Sequence, residues 1–193
     1  MLSGLKIALA ITGSHCTIAE VLPVMQVLVD RGALITTILS PAVRDTDTRF
    51  GTAIDLRQKA TAITGNEPLT TMVEVEPIGP QKLFDLVLVA PCTGNTLAKL
   101  ALGVTDTCVA LACKAQLRNN RPVVIAISTN DGLSSNARNL GTLLNKKNIY
   151  FVPFCQDAPL TKQASLIAKM SLIPETIMGA MEHRQLQPVL IAN

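Results

Sequence analysis

Short apolar runs alternate with longer stretches of mixed polarity along this chain. We predict strands at the runs that are apolar throughout, which are Leu5–Ile11, Ala33–Leu39, Leu83–Ala90, Pro122–Ile127 and Ile149–Val152. The stretches between them have helical spacing, and we predict helices at Thr17–Asp30, Phe50–Thr64, Asn95–Leu102, Asp106–Leu117, Ser135–Lys147 and, with an interruption at Pro174, Lys162–Arg184. In the first helix, Thr17-x-x-Glu20 fits a capping box.

Strands that are apolar on both faces, each followed by a helix, are typical of a parallel sheet that is covered on both sides. We therefore predict one α/β domain over residues 1–193: a doubly wound, Rossmann-like or flavodoxin-like parallel sheet of five or six strands flanked by helices. Such sheets bind ligands at the carboxyl ends of their strands, where the strand order reverses. The loops that leave each strand are therefore the places to look for chemistry.

Composition narrows the functional classes. The 193 residues are 48% hydrophobic, and the mean hydropathy is +0.36, which a buried sheet or an additional oligomer interface would explain. We expect a homo-oligomer, with an apolar tail at about 185–193 that packs on the domain or on a neighbouring copy of the chain. The net charge is +3, but the basic residues are not clustered, and aromatic residues make up only 3% of the chain. We therefore expect no nucleic-acid partner.

Targeting and metal signals are weak in this sequence. No apolar run approaches the length of a membrane span, and the start of the chain does not have the pattern of a signal peptide. The 5 cysteines form no CxxC pair, and there are only 2 histidines. We expect no membrane association, no metal site and a cytoplasmic location. Cys16 and Cys92 are interpreted as small packing residues.

The loop after the first strand contains Gly13, Ser14, His15 and Thr17. A glycine at this point allows a tight turn whose amides can bind an anion, and the hydroxyls add donors. An ordinary turn with a helix cap explains the same residues. Ser40, after the second strand, is likewise either a phosphate or ribityl donor or a cap. Because GxGxxG and GxxxxGK[ST] are both absent, a mononucleotide fits better than NAD or ATP.

The loop after the third strand is the most informative. It reads Pro91-Cys92-Thr93-Gly94-Asn95-Thr96 and leads into a helix. Thr93 and Asn95 either cap that helix or contact a ligand. Asp106 is interpreted as the cap of the next helix.

This loop, continued by Ala98-Lys99, Ala101, Gly103 and Asp106, resembles the P-A-S-A-N-T motif of the flavin-containing cysteine decarboxylase family. The Thr12-Gly13-Ser14 loop is similar to that family as well. The resemblance implies bound FMN, in contact with Pro91, Cys92, Thr93, Asn95 and Thr96 and faced by Thr129 and Asn130. It also implies a homo-oligomer built as a trimer or a shell of trimers. Two features differ from the decarboxylases: no histidine lies between His15 and His183, and Ser128-Thr129-Asn130-Asp131-Gly132 replaces their Pro-Ala-Met-Asn segment.

Other strings resemble one branch of these flavoproteins, the B subunits of dipicolinate synthase. They include Thr48-Arg49-Phe50-Gly51, Arg118-Asn119-Asn120-Arg121 and Gln185-Leu186-Gln187-Pro188. The branch implies oxidation of dihydrodipicolinate to dipicolinate in the mother cell of a sporulating bacterium. It also implies an A-subunit partner that carries NAD(P). An FMN-dependent decarboxylase and a non-catalytic scaffold remain the alternatives.

Three residues are candidates for catalysis or substrate binding. Arg49 can pair with a carboxylate of a dicarboxylate substrate, or else with Asp45 or Asp47. His15 can act as a general acid or base. Asn95 lies where the third loop would meet the ligand. Arg118 and Arg121 precede the fourth strand, at the opposite edge of the sheet, and are interpreted as structural or interfacial.

Overall fold

One sheet organises the protein. The computed structural model describes residues 2–192; Met1 and Asn193, the two ends of the predicted domain, lie outside the described residues. Within that range the strands are β1 (Lys6–Ile11), β2 (Leu34–Leu39), β3 (Leu86–Cys92), β4 (Val123–Thr129), β5 (Ile149–Phe151), β6 (Phe154–Ala158) and β7 (Lys162–Ala168). Their order is β2-β1-β3-β4-β7-β6, and β5 pairs in parallel with the first part of β4. The predicted doubly wound α/β class is confirmed, with an antiparallel hairpin, β6–β7, added to the parallel strands.

Helices cover both faces of the sheet. They are α1 (His15–Asp30), α2 (Pro41–Arg44), α3 (Ala53–Thr64), α4 (Met72–Val75), α5 (Ile78–Gln81), α6 (Gly94–Leu102), α7 (Cys108–Arg118), α8 (Ala137–Leu144) and α9 (Ile173–Met181), the last preceded by the 3-10 turn Met170–Leu172. Threonine hydroxyls cap four of them by accepting a backbone N–H: Thr52 for α3, Thr71 for α4, Thr93 for α6 and Thr107 for α7. The short helices α2, α4 and α5 have no counterpart in the predicted elements.

The core lies on both faces of the central strands. All residues of β3 are buried, as are five of the six in β1, so these strands cannot face water on either side. From one face α1 packs Val21, Met25 and Leu28 against them, all fully buried. Burying one such side chain contributes roughly 1.5–3 kcal/mol.

The order of the strands fixes where a ligand can bind. β1 pairs in parallel with β2 on one side and with β3 on the other, so the chain reverses its direction of winding between these strands. At such a reversal the two connecting helices leave the sheet on opposite faces, and a crevice opens beyond the carboxyl ends of the strands. The loops after β1 and β3 border this crevice.

The predicted capping box at Thr17 is wrong. Ser14 is the residue that precedes α1, and the helix begins at His15. Thr17 is buried, and its hydroxyl hydrogen-bonds the Ser128 hydroxyl at the end of β4 over 2.7 Å. The Thr17 side chain therefore forms a tertiary contact instead of the helix cap that the local pattern predicted.

The predicted cap at Asp106 is also wrong. Thr107 caps α7, whose first residue is Cys108. Asp106 instead accepts hydrogen bonds at both carboxylate oxygens from the ammonium group of Lys99. This contact lowers the pKa of Asp106 and ties the end of α6 to the start of α7.

The predicted helix over Lys162–Arg184 is wrong in its first part. Lys162–Ala168 is strand β7, which pairs antiparallel with β6 and with Ser128 and Thr129 of β4. Its backbone partners are distant in sequence, so local spacing gives no sign of them. Pro174 does not interrupt a helix: it lies in the first turn of α9, where its missing N–H costs no hydrogen bond.

The C-terminal segment docks on its own sheet. The Gln185 side-chain amide bonds both the N–H and the carbonyl of Phe151, at 2.8 and 2.7 Å. Further along, Phe154 donates its N–H to Val189 and accepts one from Ile191. Contact of this tail with a neighbouring copy of the chain stays a prediction.

Gly132 tests the packing of the hairpin against β4. A Cβ at this residue would lie 2.6 Å from Cδ1 and 3.0 Å from Cβ of Leu166. We expect Gly132→Ala to lower the free energy of unfolding in urea by about 1–3 kcal/mol. The matched control is Gly141→Ala in α8, where a Cβ meets open space; it should be neutral or stabilising by up to about 1 kcal/mol. Equal stabilities for the two variants would contradict this packing.

Candidate functional site

A cavity of about 750 Å³ opens at the carboxyl ends of the parallel strands. Five segments form its walls: the loops after β1, β3 and β4, the turn that contains Thr48 and Phe50, and the hairpin β6–β7. From the predicted site residues the cavity brings together Gly13, Ser14, His15, Thr17, Thr93, Asn95, Thr129 and Asn130. These residues span more than one hundred positions in the sequence, and the topology of the sheet brings them together.

Thr12 joins the first loop to the third. Its hydroxyl donates to the Pro91 carbonyl at 2.7 Å and accepts the Thr93 N–H at 3.0 Å. Thr12 is 1% exposed, so both bonds are shielded from water. This one hydroxyl fixes the spacing between the loops after β1 and β3. Sequence reasoning did not single it out, since a threonine that ends a strand has no distinctive pattern.

The first loop is also tied to β4. The Ser14 hydroxyl donates to the Ser128 carbonyl at 2.6 Å, beside the Thr17–Ser128 contact. These hydroxyls hold the N-terminus of α1 at the cavity wall, where His15 and Cys16 are the first two helical residues. The first amides of a helix have no intrahelical acceptor, so they are available to an anion.

The N-terminus of α6 forms the opposite wall. Thr93 caps this helix by accepting the Thr96 N–H at 3.2 Å. A Cβ on Gly94 would lie 2.5 to 2.6 Å from polar atoms of Asp131, Asn136 and Thr129, so only glycine allows this approach. Asp131 in turn accepts hydrogen bonds from Thr129 at 2.6 Å and from Asn136 at 2.8 Å. The cavity wall is therefore held in place before any ligand binds.

Ser40 has an unsatisfied hydroxyl. The residue is 7% exposed, and within the described part of the chain its Oγ has no hydrogen-bond partner. Its N–H bonds the carbonyl of Ile11, directly before Thr12, which places it beside the first loop although it does not line the cavity. A buried hydroxyl without a partner costs about 1–3 kcal/mol. A ligand group at this edge would remove that cost.

Four other predicted residues do not line the cavity. Pro91 and Cys92 are buried, and burial raises the pKa of the Cys92 thiol well above its usual range, which fits a packing role. Thr96 is buried and engaged with Thr93. Arg49 is exposed.

Arg49 pairs with neither acid considered for it. Asp45 forms an ion pair with Arg44 at 2.6 Å, and Asp47 accepts the Ala53 N–H at 2.8 Å. The guanidinium carbon of Arg49 instead lies 4.9 Å from the ring centroid of Phe50, and Phe50 lines the cavity. Arg49 therefore does not line the cavity but contacts Phe50, a residue that does, and its guanidinium is exposed.

The hairpin contributes residues that sequence reasoning missed, because a helix was predicted over β7 and no element was predicted over β6. Asp157, Lys162 and Ser165 line the cavity. Lys162 donates to Asp157 at 2.6 Å, and this hydrogen bond raises the pKa of the lysine. At the opposite edge of the sheet, Arg121 donates to the carbonyls of Lys82 and Phe84, in agreement with the structural role expected for it.

Comparison with known proteins identifies the family. The family model described as Flavoprotein matches residues 1–185. The chain belongs to this flavoprotein family. It is 46% identical to the B subunit of dipicolinate synthase from Bacillus subtilis (strain 168) over 192 residues, which covers 100% of this chain and 96% of that protein.

Solved structures agree with this assignment. The crystal structure of the dipicolinate synthase B subunit from Bacillus halodurans superimposes with a TM-score of 0.92 at 45% identity, covering 100% of this chain and 98% of that one. The FMN-dependent cysteine decarboxylase SpaF has a TM-score of 0.65 at 18% identity, covering 95% and 99% of the two chains, and shares the fold.

The site fits a flavin mononucleotide. Its volume of about 750 Å³ lies within the usual range for cofactor pockets. The amides at the start of α1 offer donors for a phosphate, and the unsatisfied Ser40 hydroxyl is buried beside the same loop. Residues 2–192 contain no helix long and apolar enough to cross a bilayer. The same residues contain no cluster of three or more His, Cys, Asp or Glu side chains that could hold a metal ion.

Thr12 gives the sharpest test of this loop arrangement. Thr12→Val keeps the shape but leaves the Pro91 carbonyl and the Thr93 N–H without a partner in a buried place. We expect a loss of about 1–3 kcal/mol in the free energy of unfolding, measured in urea. Thr12→Ser keeps the hydroxyl and should recover most of that loss. If valine and serine at this position gave the same stability, the hydroxyl would not be joining the two loops.

Proposed function

We propose that this protein is the FMN-binding B subunit of a dipicolinate synthase, which acts with an NAD(P)-dependent A subunit to oxidise dihydrodipicolinate to dipicolinate. The observation that carries the proposal is the cavity between the loops after β1, β3 and β4, in a chain 46% identical over its full length to such a protein. The setting would be the cytoplasm of the mother cell of a sporulating bacterium.

The cofactor would be held from two sides. The amides at the start of α1, with Gly13, Ser14, Thr17 and Ser40, would hold the phosphate, where the positive end of the helix favours an anion. The start of α6 faces the same cavity from across β1 and β3, through Thr93 and Asn95. On the β4 side Thr129 and Asn130 complete the wall. Pro91, Cys92 and Thr96 support this wall from behind it.

Bound FMN would supply a two-electron acceptor. The residues of the chain would orient the substrate and manage its protons. His15 lines the cavity, where its imidazole would act as a general acid or base towards the substrate. Arg49 lies over Phe50 beside the cavity, and its guanidinium would pair with a substrate carboxylate. Asn95, exposed at the start of α6, offers an amide to the reacting ring.

Two features of the chain support an A-subunit partner and an oligomer: the missing dinucleotide fingerprint and the exposed apolar side chains. Its sequence has no dinucleotide fingerprint, so NAD(P) would bind only to the A subunit. Large apolar side chains are open to water, among them Leu102 (72% exposed), Val73 (82%) and Leu160 (94%). Contacts with the A subunit and with further copies of the chain, in a trimer or a shell of trimers, would cover such side chains.

Ser40→Ala tests the cofactor assignment. Because the hydroxyl has no partner in the protein, its removal should leave the stability of the FMN-free protein unchanged or slightly higher. Affinity for FMN, measured by titration followed by flavin fluorescence, should fall about tenfold through the loss of a hydrogen bond to a charged group. The control is Ser171→Ala, at an exposed serine outside the cavity. Unchanged FMN affinity in Ser40→Ala would remove Ser40 from the site.

A turnover assay tests the reaction. The FMN-loaded protein, together with its A-subunit partner and NAD(P)⁺, should form dipicolinate from dihydrodipicolinate. When both oxygen and that partner are left out, the substrate should bleach the flavin absorbance. Arg49→Ala should lower kcat/KM about tenfold or more, whereas Arg57→Ala, an exposed arginine paired with Glu67, should leave it unchanged. Equal dipicolinate formation by the partner alone would contradict the proposal and favour a scaffold, and release of CO₂ from a cysteine-derived acid would favour a decarboxylase.

A further inference from the structure

A second cavity, of about 130 Å³, adjoins the first between α1 and the start of α3. His15, Thr48 and Phe50 line both cavities, so these three residues mark the junction between them. The second cavity lies below the usual range for cofactor pockets and can hold only a small molecule. A molecule bound there would sit next to whatever fills the larger cavity.

The walls of the small cavity combine apolar surface with two charges. Ile18 and Leu22 of α1 and Leu56 of α3 provide the apolar part. Asp55 and Lys59, also on α3, provide the charges. They are four positions apart and therefore lie on the same face of the helix. Within the described residues neither side chain has a hydrogen bond or an ion pair, so both are available to a ligand.

The turn that carries Phe50 is built to hold an exposed ring in place. Phe50 is 54% exposed. Thr48 and Gly51 exchange two backbone hydrogen bonds, of 3.0 and 3.1 Å, and the Phe50 N–H donates to the Thr48 hydroxyl at 3.1 Å. Gly51 has a φ of +139°, which a residue with a side chain rarely adopts. The turn therefore fixes an aromatic ring at the junction without burying it in the core.

We propose that the small cavity is the substrate subsite and that it binds a small planar carboxylic acid. The ring of that acid would pack against Phe50 and the apolar walls, and one carboxylate would pair with Lys59. This inference rests on the proposed function, because it places the acid beside a flavin in the larger cavity. It assigns roles to Phe50, Lys59 and Asp55 in addition to those of the residues that hold the cofactor.

The two charges on α3 make opposite contributions to binding. Lys59 attracts a carboxylate, and Asp55, one turn earlier, repels it. A dianionic acid would therefore bind with only one carboxylate towards α3. Its other carboxylate would lie towards the junction, where Arg49 contacts Phe50. Because both groups are near the surface, each effect is modest and weakens as salt is added.

Binding of pyridine-2,6-dicarboxylate to the FMN-loaded protein, measured by calorimetry at low salt, tests the subsite. Lys59→Gln should weaken binding at least about threefold, and Asp55→Asn should strengthen it about twofold or more. Phe50→Leu should weaken it at least about threefold, and Phe50→Tyr should retain it, because the contact needs an aromatic face. The affinity of Lys59→Gln and Asp55→Asn for FMN should change less than about twofold, because neither residue lines the larger cavity.

Matched controls change the same charges elsewhere. Lys114 on α7 and Glu76 at the end of α4 are both exposed and lie outside the two cavities. Neither Lys114→Gln nor Glu76→Gln should alter binding of the acid. The proposal is overturned if the wild-type protein does not bind the acid, or if Lys59→Gln and Lys114→Gln behave alike. The same titrations on FMN-free protein separate the two claims. If the wild-type protein binds no FMN but still binds the acid with the expected effects of Lys59→Gln and Asp55→Asn, the cofactor assignment is wrong and the subsite is retained.

Discussion

The central strands are apolar on both faces, and this constraint decides where the protein can carry out chemistry. β1, β3 and β4 are covered by helices on each side, so no polar ligand can reach their faces. Polar groups are confined to the edge where the strands end. The reversal of strand order between β1 and β3 opens a crevice at that edge, and the candidate site occupies it.

A small network of hydroxyls turns this crevice into a defined site. Thr12 joins the loops after β1 and β3, and the pair of Thr17 and Ser128 joins α1 to β4. These bonds are buried, where a hydroxyl without a partner is costly, so each one holds its loop firmly. Ser40 lies beside this network, and its buried hydroxyl has no hydrogen-bond partner within residues 2–192.

Much of the fold could be predicted because it depends on local pattern. The five parallel strands are visible as apolar runs, and most helices fall between them. The hairpin β6–β7 could not be predicted in this way, since its strands find their partners across the sheet and carry no distinctive period. For the same reason Asp157, Lys162 and Ser165 were missed, and Thr17 and Asp106 were assigned local caps although tertiary contacts use their side chains.

The central claim of this account is that one flavin binds at the carboxyl edge of the sheet. The most direct test is a crystal structure of the protein grown with FMN. The account predicts flavin density in the cavity between the loops after β1, β3 and β4, with the phosphate at the start of α1 within hydrogen-bond distance of Ser40. A flavin bound elsewhere on the chain, or a phosphate held away from α1, would contradict it.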